Sequence, residues 1–340
     1  MKYGLLGIGQ AGLRHFEAFK KIRNLKLVGF TENDLKKAKK FEKINNIKHF
    51  NNINKLLNLK PDFVVIALPH FLRLEPILEC CRNNINLLIE KPLVLDGNEL
   101  NSIKRYIYKK NLYHTISFVH RYRKEVLTSY KLIQNSKIGQ IKFISETMIS
   151  QKNSSLPNWI DVKKFSGGGV LLYNAIHSID KITYLAKSKI YEVFARKTNI
   201  NNRIDVEDVI SISIKFKNGI IAHLVATFVP YKTTPKWETK IFGTSGQLDI
   251  NVRKGIELRS KNKIINYDYS KYYQKNGLNY NFVTQAKSYV DALKKKTKPF
   301  ISIQDGVNSV LVVEAIYKSI EKNKVIKSYD KLSIQYNIEK

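Results

Sequence analysis

Residues 2–19 of this chain read KYGLLGIGQAGLRHFEAF, in which three glycines separate two apolar segments. The pattern predicts a strand at residues 2–8 and a helix at residues 11–22, with G-x-G-x-x-G at their junction. In a dinucleotide site the first glycine allows the tight turn, the second lets the backbone approach the pyrophosphate, and the third lets helix pack on strand. The helix N-terminus then offers N–H groups to the phosphates. The candidate phosphate-binding residues are Gly7, Ile8, Gly9, Gln10, Ala11 and Gly12.

An acidic residue favours this dinucleotide site over a glycine-rich turn that binds nothing. Glu32 ends the second predicted strand, 20 residues after Gly12. At that place a carboxylate accepts hydrogen bonds from the adenosine ribose. It would also repel a 2′-phosphate, and the adjacent Asn33 is neutral, so NAD is favoured over NADP. A surface residue at a strand end is the alternative interpretation of Glu32.

The next buried strand ends in ALPH, residues 67–70. Ligands lie at the carboxyl ends of the strands in open parallel sheets. Leu68, Pro69 and His70 are therefore candidates for the nicotinamide side of the site. His70 taken alone is equally consistent with an ordinary loop residue.

The sequence IEKP, residues 89–92, ends another near-continuous apolar strand. A Glu and a Lys there are costly to bury unless they are solvated or paired. We expect Glu90 and Lys91 at the cleft, with Lys91 directed at the reacting carbon and its pKa lowered by burial. Pro92 fixes the chain after it and could do so as a cis peptide. An exposed strand-end salt bridge is the alternative.

The sequence GGGVLLYNAIHSID, residues 167–180, predicts a mostly buried helix that opens on glycines. Tyr173, His177 and Asp180 share one face of that helix because they are four and three residues apart. This polar line is either a satisfied structural network or a substrate-facing surface. In the second case the glycines would let the helix start close to the substrate, and Asn174 would be a further contact.

The alternation of elements predicts an α/β protein with two domains. Strands and helices alternate in the first third, which is typical of a doubly wound parallel Rossmann sheet. Alternating strands follow, with a hairpin signal at Asn218-Gly219, which predicts a large, open, mainly antiparallel sheet flanked by helices. We expect a NAD-binding Rossmann domain at residues 1–119 and a substrate-binding and oligomerisation α/β domain at residues 120–340.

The formal net charge is +31, from 59 Lys and Arg against 28 Asp and Glu. Such a charge can indicate a nucleic-acid partner or an anionic surface. Here the lysines are spread along the chain, and the accompanying Asn, Ile, Tyr and Phe share AT-rich codons. We attribute the charge mainly to compositional bias and expect no specific nucleic-acid partner, although attraction for anionic substrates such as nucleotide sugars stays open.

Cysteine usage and hydropathy favour a cytoplasmic protein. Cys80 and Cys81 are adjacent, which disfavours a disulfide and gives no zinc-binding spacing. No apolar run reaches the roughly 18 to 20 residues of a membrane span. We therefore expect no metal and no membrane partner.

These motifs occur in the order and spacing of the Gfo/Idh/MocA family, the glucose–fructose oxidoreductase and inositol dehydrogenase group, which the chain resembles over nearly its whole length. Glu90-Lys91-Pro92 is the most specific part of the match. The resemblance implies NAD(P)-dependent hydride transfer on sugars, nucleotide sugars or cyclitols, and homodimers or homotetramers formed through the open sheet. It assigns contact with the reacting hydroxyl to Lys91 and proton transfer to His177.

The chain departs from the family pattern at two positions. Tyr173 stands where many members have an aspartate four residues before the histidine, and Asn174 is one position away from that place. A tyrosine would orient the imidazole only through a neutral hydrogen bond. Arg73 also stands where a histidine is frequent. The first departure affects the acid/base machinery and hence the substrate class.

Three further residues are candidate substrate contacts. Arg121 and Tyr122 follow the last predicted strand of the first domain, and Trp159 lies in a loop where a sugar ring could stack on it. A basic domain junction is the alternative for the first two, and anchoring of the loop to the core is the alternative for the tryptophan.

Two other functions are compatible with the same motifs. One is an enzyme that retains NAD and uses transient oxidation to promote elimination or hydrolysis at a glycosidic bond. The other is a non-catalytic dinucleotide sensor, which the intact Lys91 and His177 disfavour.

Overall fold

The computed structural model describes residues 1–109, 111–152, 156–261 and 263–327. The strands are β1 (Lys2–Leu6), β2 (Lys26–Thr31), β3 (Phe63–Ile66), β4 (Asn86–Ile89), β5 (Thr115–Ile116), β6 (Ile141–Gln151), β7 (Ile190–Thr198), β8 (Val209–Phe216), β9 (Ile221–Val229), β10 (Lys236–Gly243), β11 (Gly246–Asn251), β12 (Gly255–Ser260), β13 (Lys263–Asp268) and β14 (Ile326–Lys327). The α-helices are α1 (Gln10–Phe19), α2 (Leu35–Asn45), α3 (Ile53–Leu57), α4 (Leu74–Arg82), α5 (Gly97–Ile107), α6 (Lys124–Gln134), α7 (Lys163–Ser166), α8 (Ile176–Ala186), α9 (Ser270–Asn276), α10 (Tyr280–Lys295) and α11 (Ile303–Lys322).

The described chain divides into two compact units. The first is Met1–Tyr122 with Asn276–Val307, and the second is Arg123–Lys275 with the chain from Asn308 on. The units therefore do not follow a single cut after residue 119. A late segment that contains α10 belongs to the first unit, which the local pattern of strands and helices does not indicate.

A five-stranded sheet in the order β2-β1-β3-β4-β5 organises the first unit. Each neighbouring pair is parallel, which confirms the doubly wound Rossmann-type sheet predicted from the sequence. The last strand, β5, has only two residues, because after Ser117 the chain turns into a 3₁₀ helix, Val119–Tyr122.

Aromatic side chains fill the core between this sheet, α1 and α10. Tyr3 stacks on Phe63 with ring centroids 5.4 Å apart, and Tyr289 of α10 meets Phe63 edge-on at 5.4 Å. Phe282 and Val290 on α10 are buried in the same cluster. Burial of each such side chain contributes about 1.5–3 kcal/mol, which is sufficient to hold a helix distant in sequence on the first unit.

A nine-stranded sheet organises the second unit, in the order β13-β12-β11-β10-β6-β9-β8-β7-β14. Every described neighbouring pair is antiparallel except β6 with β9, so the prediction of a large, mainly antiparallel sheet is confirmed. The predicted hairpin joins β8 to β9, and Gly219 takes the positive φ of 86° that its turn requires.

Three further features concern the described residues. Among the described residues, no helix is long and apolar enough to cross a membrane. Within these described ranges, no group of three or more His, Cys, Asp or Glu side chains is arranged to hold a metal ion. Cys80 and Cys81 are both buried free thiols.

Candidate active site

Four of the predicted site segments lie side by side at the carboxyl edge of the parallel sheet. The backbone N–H of Gly7 donates to the carbonyl of Thr31 at 3.0 Å, and that of Glu90 donates to the carbonyl of Ile66 at 2.9 Å. These bonds continue the hydrogen-bond pattern of the parallel sheet just past the ends of β1 and β4. The glycine loop, Glu32, the segment 68–70 and the segment 90–91 are therefore neighbours along one edge.

The glycine loop has the shape that a pyrophosphate requires. Gly7 has φ of 84°, and a Cβ on Gly12 would lie 2.0 Å from the Gly7 carbonyl oxygen, so both positions exclude larger residues. A Cβ on Gly9, in contrast, would meet no heavy atom of the described chain within 4 Å. Helix α1 begins at Gln10, and its N-cap Gly9 brings no side chain to cover the first N–H groups. The loop thus leaves open space at the N-terminus of a helix, where an anion would bind.

Glu32 is tied to this loop through Oε2 and to the backbone that follows β2 through Oε1. Oε1 accepts from the backbone N–H groups of Asn33 at 2.9 Å and Asp34 at 3.2 Å. Oε2 accepts from the Ile8 N–H at 3.2 Å and from the Lys37 ammonium at 3.3 Å. The carboxylate is fixed at the end of β2, which is the position expected of a ribose-binding acid.

Glu90 is buried in a hydrogen-bonded pair with a histidine, which the sequence did not indicate. Its Oε1 lies 2.8 Å from His15 Nε2 on α1, and its Oε2 accepts from the Lys91 N–H at 3.2 Å. Burial alone would raise the pKa of Glu90, but the hydrogen bond and charge from His15, with the charges of Lys91 and Arg73, lower it to about 2. Glu90 therefore stays ionised and holds the chain beside Lys91. The only feature of the sequence that could have indicated this pair is His15 itself, which lies about one turn after Gly12 on the predicted helix.

Lys91 follows directly, in a loop where the Lys91–Pro92 peptide is cis, as the sequence allowed. The Lys91 residue is partly buried and keeps some solvent-accessible surface. Burial lowers the pKa of the Lys91 amine to about 8, the Glu90 carboxylate opposes this shift, and the guanidinium groups of Arg73 and Arg14 add to it. An amine with this pKa exchanges protons near neutral pH, which suits a group that assists proton transfer.

The helix that carries His177 lies in the second unit and begins irregularly. One π-helical turn, Leu171–Ala175, precedes α8. A Cβ on Gly168 would lie 1.7 Å from the Tyr317 hydroxyl oxygen, and one on Gly169 would lie 1.8 Å from the Glu207 carbonyl oxygen. Gly168 and Gly169 are therefore required because Tyr317 and the backbone of Glu207 pack directly against them. The sequence did not reveal this reason for the glycines.

Glu207 also caps this helix. Its Oε1 accepts from the N–H groups of Gly169 at 3.0 Å and Leu171 at 3.2 Å, and from the Tyr317 hydroxyl at 3.0 Å. The carboxylate is 2% exposed, so these bonds replace its hydration. A negative charge at a helix N-terminus is favourable, and it sets the direction in which α8 starts.

One turn beyond His177, α8 is fixed to the second sheet by a buried ion pair. Lys181 Nζ lies 2.9 Å from Glu146 Oε1 on β6, and both side chains are fully buried. The Ser178 hydroxyl donates to the same carboxylate at 2.6 Å. His177 itself is 7% exposed. Its ring is thus carried by a helix with little freedom to rotate.

Tyr173 and Asn174 lie in the π-helical turn before His177. The Tyr173 ring is 5.7 Å from that of Phe228, beside a cavity of about 10 Å³. The Asn174 amide donates to the Ser150 hydroxyl at 3.3 Å. Both residues are partly exposed on the second unit.

The remaining candidates are placed as follows. Arg121 donates to Asp305 at 2.8 Å, and the Tyr122 ring meets Phe300 at 5.3 Å, all within the first unit. Both Arg121 and Tyr122 are buried, which fits the alternative of a structural junction. Trp159 is partly exposed in a short 3₁₀ helix, Asn158–Asp161. His70 is buried at the start of the 3₁₀ helix His70–Leu72.

A parallel sheet with this glycine loop at its carboxyl edge, in one chain with a large mixed sheet, defines a dinucleotide-binding protein of the Rossmann class with a second unit. Residues 1–118 match the model of the oxidoreductase family with an NAD-binding Rossmann fold, and residues 126–249 match the model of the Gfo/Idh/MocA C-terminal domain. The chain belongs to the Gfo/Idh/MocA family.

Named relatives and solved structures agree with this assignment. The chain is 28% identical over 241 residues to glucose-6-phosphate 3-dehydrogenase of Bacillus subtilis, covering 66% of this chain and 67% of the relative. It is 22% identical over 338 residues to myo-inositol 2-dehydrogenase of Thermotoga maritima, covering 96% and 98%. Its fold matches a structure of levoglucosan dehydrogenase in complex with NADH and levoglucosan, with a TM-score of 0.87 at 20% identity over 96% of this chain and 99% of the other.

Proposed function

We propose that this protein is an NAD-dependent dehydrogenase or reductase that transfers hydride between the nicotinamide and a CH–OH carbon of a sugar, nucleotide sugar or cyclitol. The observation that carries the proposal is the edge of the first sheet. There the open space at Gly9, at the N-terminus of α1, adjoins the fixed carboxylate of Glu32 and the loop of Lys91. That edge fits a dinucleotide with its reactive end beside an amine that titrates near neutral pH.

The residues of the chain take separate roles in this proposal. The loop 7–12 binds the pyrophosphate, Glu32 binds the adenosine ribose, and the segments 68–70 and 90–91 bind the nicotinamide side. Bound NAD supplies the hydride acceptor or donor. Lys91 donates a hydrogen bond to the reacting oxygen and stabilises its developing charge. His177 exchanges the hydroxyl proton with solvent.

The substrate class is supported by the names of the relatives, which are dehydrogenases of a sugar phosphate, a cyclitol and an anhydrosugar. We assign substrate contacts to Trp159, Tyr173 and Asn174 of the second unit, with Arg121 and Tyr122 of the first unit as further candidates. Trp159 offers a partly exposed ring on which a sugar could stack.

Replacement of Lys91 with Met tests the proposal directly. We expect the Lys91→Met protein to bind NAD with affinity close to the wild type and to lose about 10²–10⁴-fold in turnover. Turnover is followed as formation of reduced nicotinamide with a panel of sugars, cyclitols and nucleotide sugars. Near-normal turnover in the variant would remove Lys91 from the mechanism.

The same panel separates the other functions. Product formation without net change in nicotinamide absorbance would indicate the NAD-retaining elimination. Tight NAD binding without turnover on any member of the panel would indicate a sensor.

We further propose a cytoplasmic homodimer or homotetramer assembled through the open face of the nine-stranded sheet. On that face the rings of Phe143 and Phe242 stack with centroids 5.8 Å apart, and Ile221 is 52% exposed. An apolar surface of this kind is typical of subunit contacts. Light scattering of the wild type and of Ile221→Glu tests this assembly, and a monomeric wild type would contradict it.

A further inference from the structure

Arg73 is a buried arginine placed between the two loops that carry the nicotinamide side of the proposed site. It precedes α4 and is 5% exposed. Its Nε donates to the carbonyl of Leu68 at 2.8 Å, after β3. Its Nη1 donates to the carbonyls of Glu90 and Pro92, each at 2.5 Å, after β4. One side chain therefore joins two loops through three backbone acceptors.

The geometry around Lys91 makes this arrangement specific. The carbonyl before Lys91 and the carbonyl of the residue after it are bound by the same Arg73 nitrogen. The N–H of Lys91 itself donates to the Glu90 carboxylate at 3.2 Å. The backbone on both sides of Lys91 is thus fixed by side chains of the first unit.

Only an arginine can make this set of contacts. The guanidinium presents its donors in a rigid fork, whereas a lysine offers one nitrogen on a flexible stem. Hydrogen bonds from a charged donor to buried carbonyls are also stronger than neutral ones. A lysine at position 73 would keep the charge but would not hold both loops in the same way.

We propose that Arg73 is a positioning residue that fixes the backbone on both sides of Lys91 and thereby aims its amine at the reacting oxygen. The inference rests on the role proposed for Lys91. It assigns to Arg73 no contact with cofactor or substrate.

The charge of Arg73 acts on Lys91 as well. Burial lowers the pKa of Arg73 to about 10 while the carboxylates of Glu90 and Glu99 oppose the shift, so the guanidinium stays protonated at neutral pH. The charged groups that act on the Lys91 amine are Glu90 in its own loop, Arg73 before α4 and Arg14 on α1. Loss of Arg73 removes one of the two positive charges that favour the neutral amine.

The first experiment measures Lys91 without any turnover. The rate at which Lys91 reacts with an amine-specific reagent, located by peptide mass spectrometry, gives its pKa as a function of pH. We expect this pKa to rise in Arg73→Met toward the ordinary lysine value of about 10.4 and to stay closer to the wild type in Arg73→Lys. Arg82→Met is the matched control, because Arg82 lies on α4, is half-exposed, and has the carboxylates of Glu75 and Glu79 and the ring of Tyr106 as described partners. An unchanged Lys91 pKa in Arg73→Met would overturn the charge effect.

The second experiment separates position from charge. We expect both Arg73→Met and Arg73→Lys to lose about 10²-fold in kcat, with much smaller changes in the Kd for NAD and in KM for the substrate. In the Lys91→Met background the Arg73→Met change should cost almost nothing further, because the group it positions is gone. Additive losses in the double variant would overturn the inference. If Arg73→Met fails to fold, Arg73→Lys alone carries the same comparison.

The two proposals fail in different ways. Near-normal turnover of Lys91→Met would reject the role of Lys91, and the pKa shift in Arg73→Met would still show that Arg73 acts on the loop. Loss of turnover in Lys91→Met with full turnover in Arg73→Lys would reject only the positioning role.

Discussion

His15 Nε2 on α1 lies 2.8 Å from Glu90 Oε1 at the end of β4, and both side chains are buried. This pair joins the helix that begins in the glycine loop to the loop that carries Lys91. The Ser117 hydroxyl lies 3.4 Å from the same imidazole nitrogen and donates to Gln285 at 3.2 Å. The two halves of the proposed cofactor site are thus coupled through one buried polar network.

The first prediction concerns the stability of this pair. In His15→Leu the buried Glu90 carboxylate loses its imidazole donor, so we expect a loss of about 1.5–3 kcal/mol in the free energy of unfolding. His15→Gln keeps a donor N–H and should lose less. Urea unfolding at neutral pH measures both, and equal stabilities for the two variants would contradict the assignment.

The same pair predicts an acid dependence. The pKa of Glu90 is lowered from 4.5 to about 2 in the folded protein. A depressed carboxyl pKa stabilises the fold above pH 4.5, and this contribution is lost as the pH falls toward 2. The drop in unfolding free energy between about pH 6 and about pH 4 should therefore be smaller in His15→Leu, where the pKa of Glu90 is raised. A larger drop in His15→Leu would contradict the conclusion that His15 lowers the pKa of Glu90.

The second prediction separates two glycines of the loop. Gly9→Ala adds a methyl group into open space and keeps a common backbone conformation, with φ of −63°, so its Tm should match that of the wild type. The methyl group would block the pyrophosphate, and we expect the Kd for NAD to rise at least about tenfold. Gly12→Ala instead meets the Gly7 carbonyl oxygen and should lose about 1–3 kcal/mol of stability. Calorimetry on both proteins measures Tm and NAD binding, and an unaltered Kd in Gly9→Ala would place the phosphates elsewhere.

The third prediction is a pH profile. If the Lys91 ammonium stabilises the developing alkoxide, kcat/KM for oxidation should fall as the pH rises through about 8, because the amine loses its proton there. The fall is expected near pH 8 and not near 10.5, because the pKa of Lys91 is lowered in the folded protein. Lys91→Arg keeps a cation at all these pH values and should lack this descending limb. A rate that instead rises through pH 8 only when Lys91 is present would make the neutral amine the acting form.

The fourth prediction tests the cap on the helix of His177. Glu207→Ala removes the acceptor of two N–H groups and one hydroxyl, and Tyr317→Phe removes only the hydroxyl. We expect a loss of about 1.5–3 kcal/mol for Tyr317→Phe and a larger loss for Glu207→Ala. Both should lower kcat more than they change the Kd for NAD, because the cap lies in the second unit. Weaker NAD binding with unchanged kcat would argue against a link to His177.

Much of the first sheet and its edge could be predicted from the sequence, because the signals are local. The strand of Leu87, Leu88 and Ile89 is apolar throughout, since both faces of a parallel sheet are covered. The end of such a strand is marked by the first polar residues, here Glu90 and Lys91. The predicted roles of the individual site residues are still predictions that the variants above test.

The sequence by itself determined the Rossmann-type sheet, the mainly antiparallel second sheet and the order of the motifs, because each depends on residues a few positions apart. The tertiary structure decided that α10 packs on the first unit and that Glu90 pairs with His15, 75 positions away. It also decided that the glycines before His177 admit Glu207 and Tyr317, which are 110 positions apart. Hydrogen bonds and close approaches between distant segments leave no periodic pattern in either segment. They exist only once the strands are in register and the helices are packed.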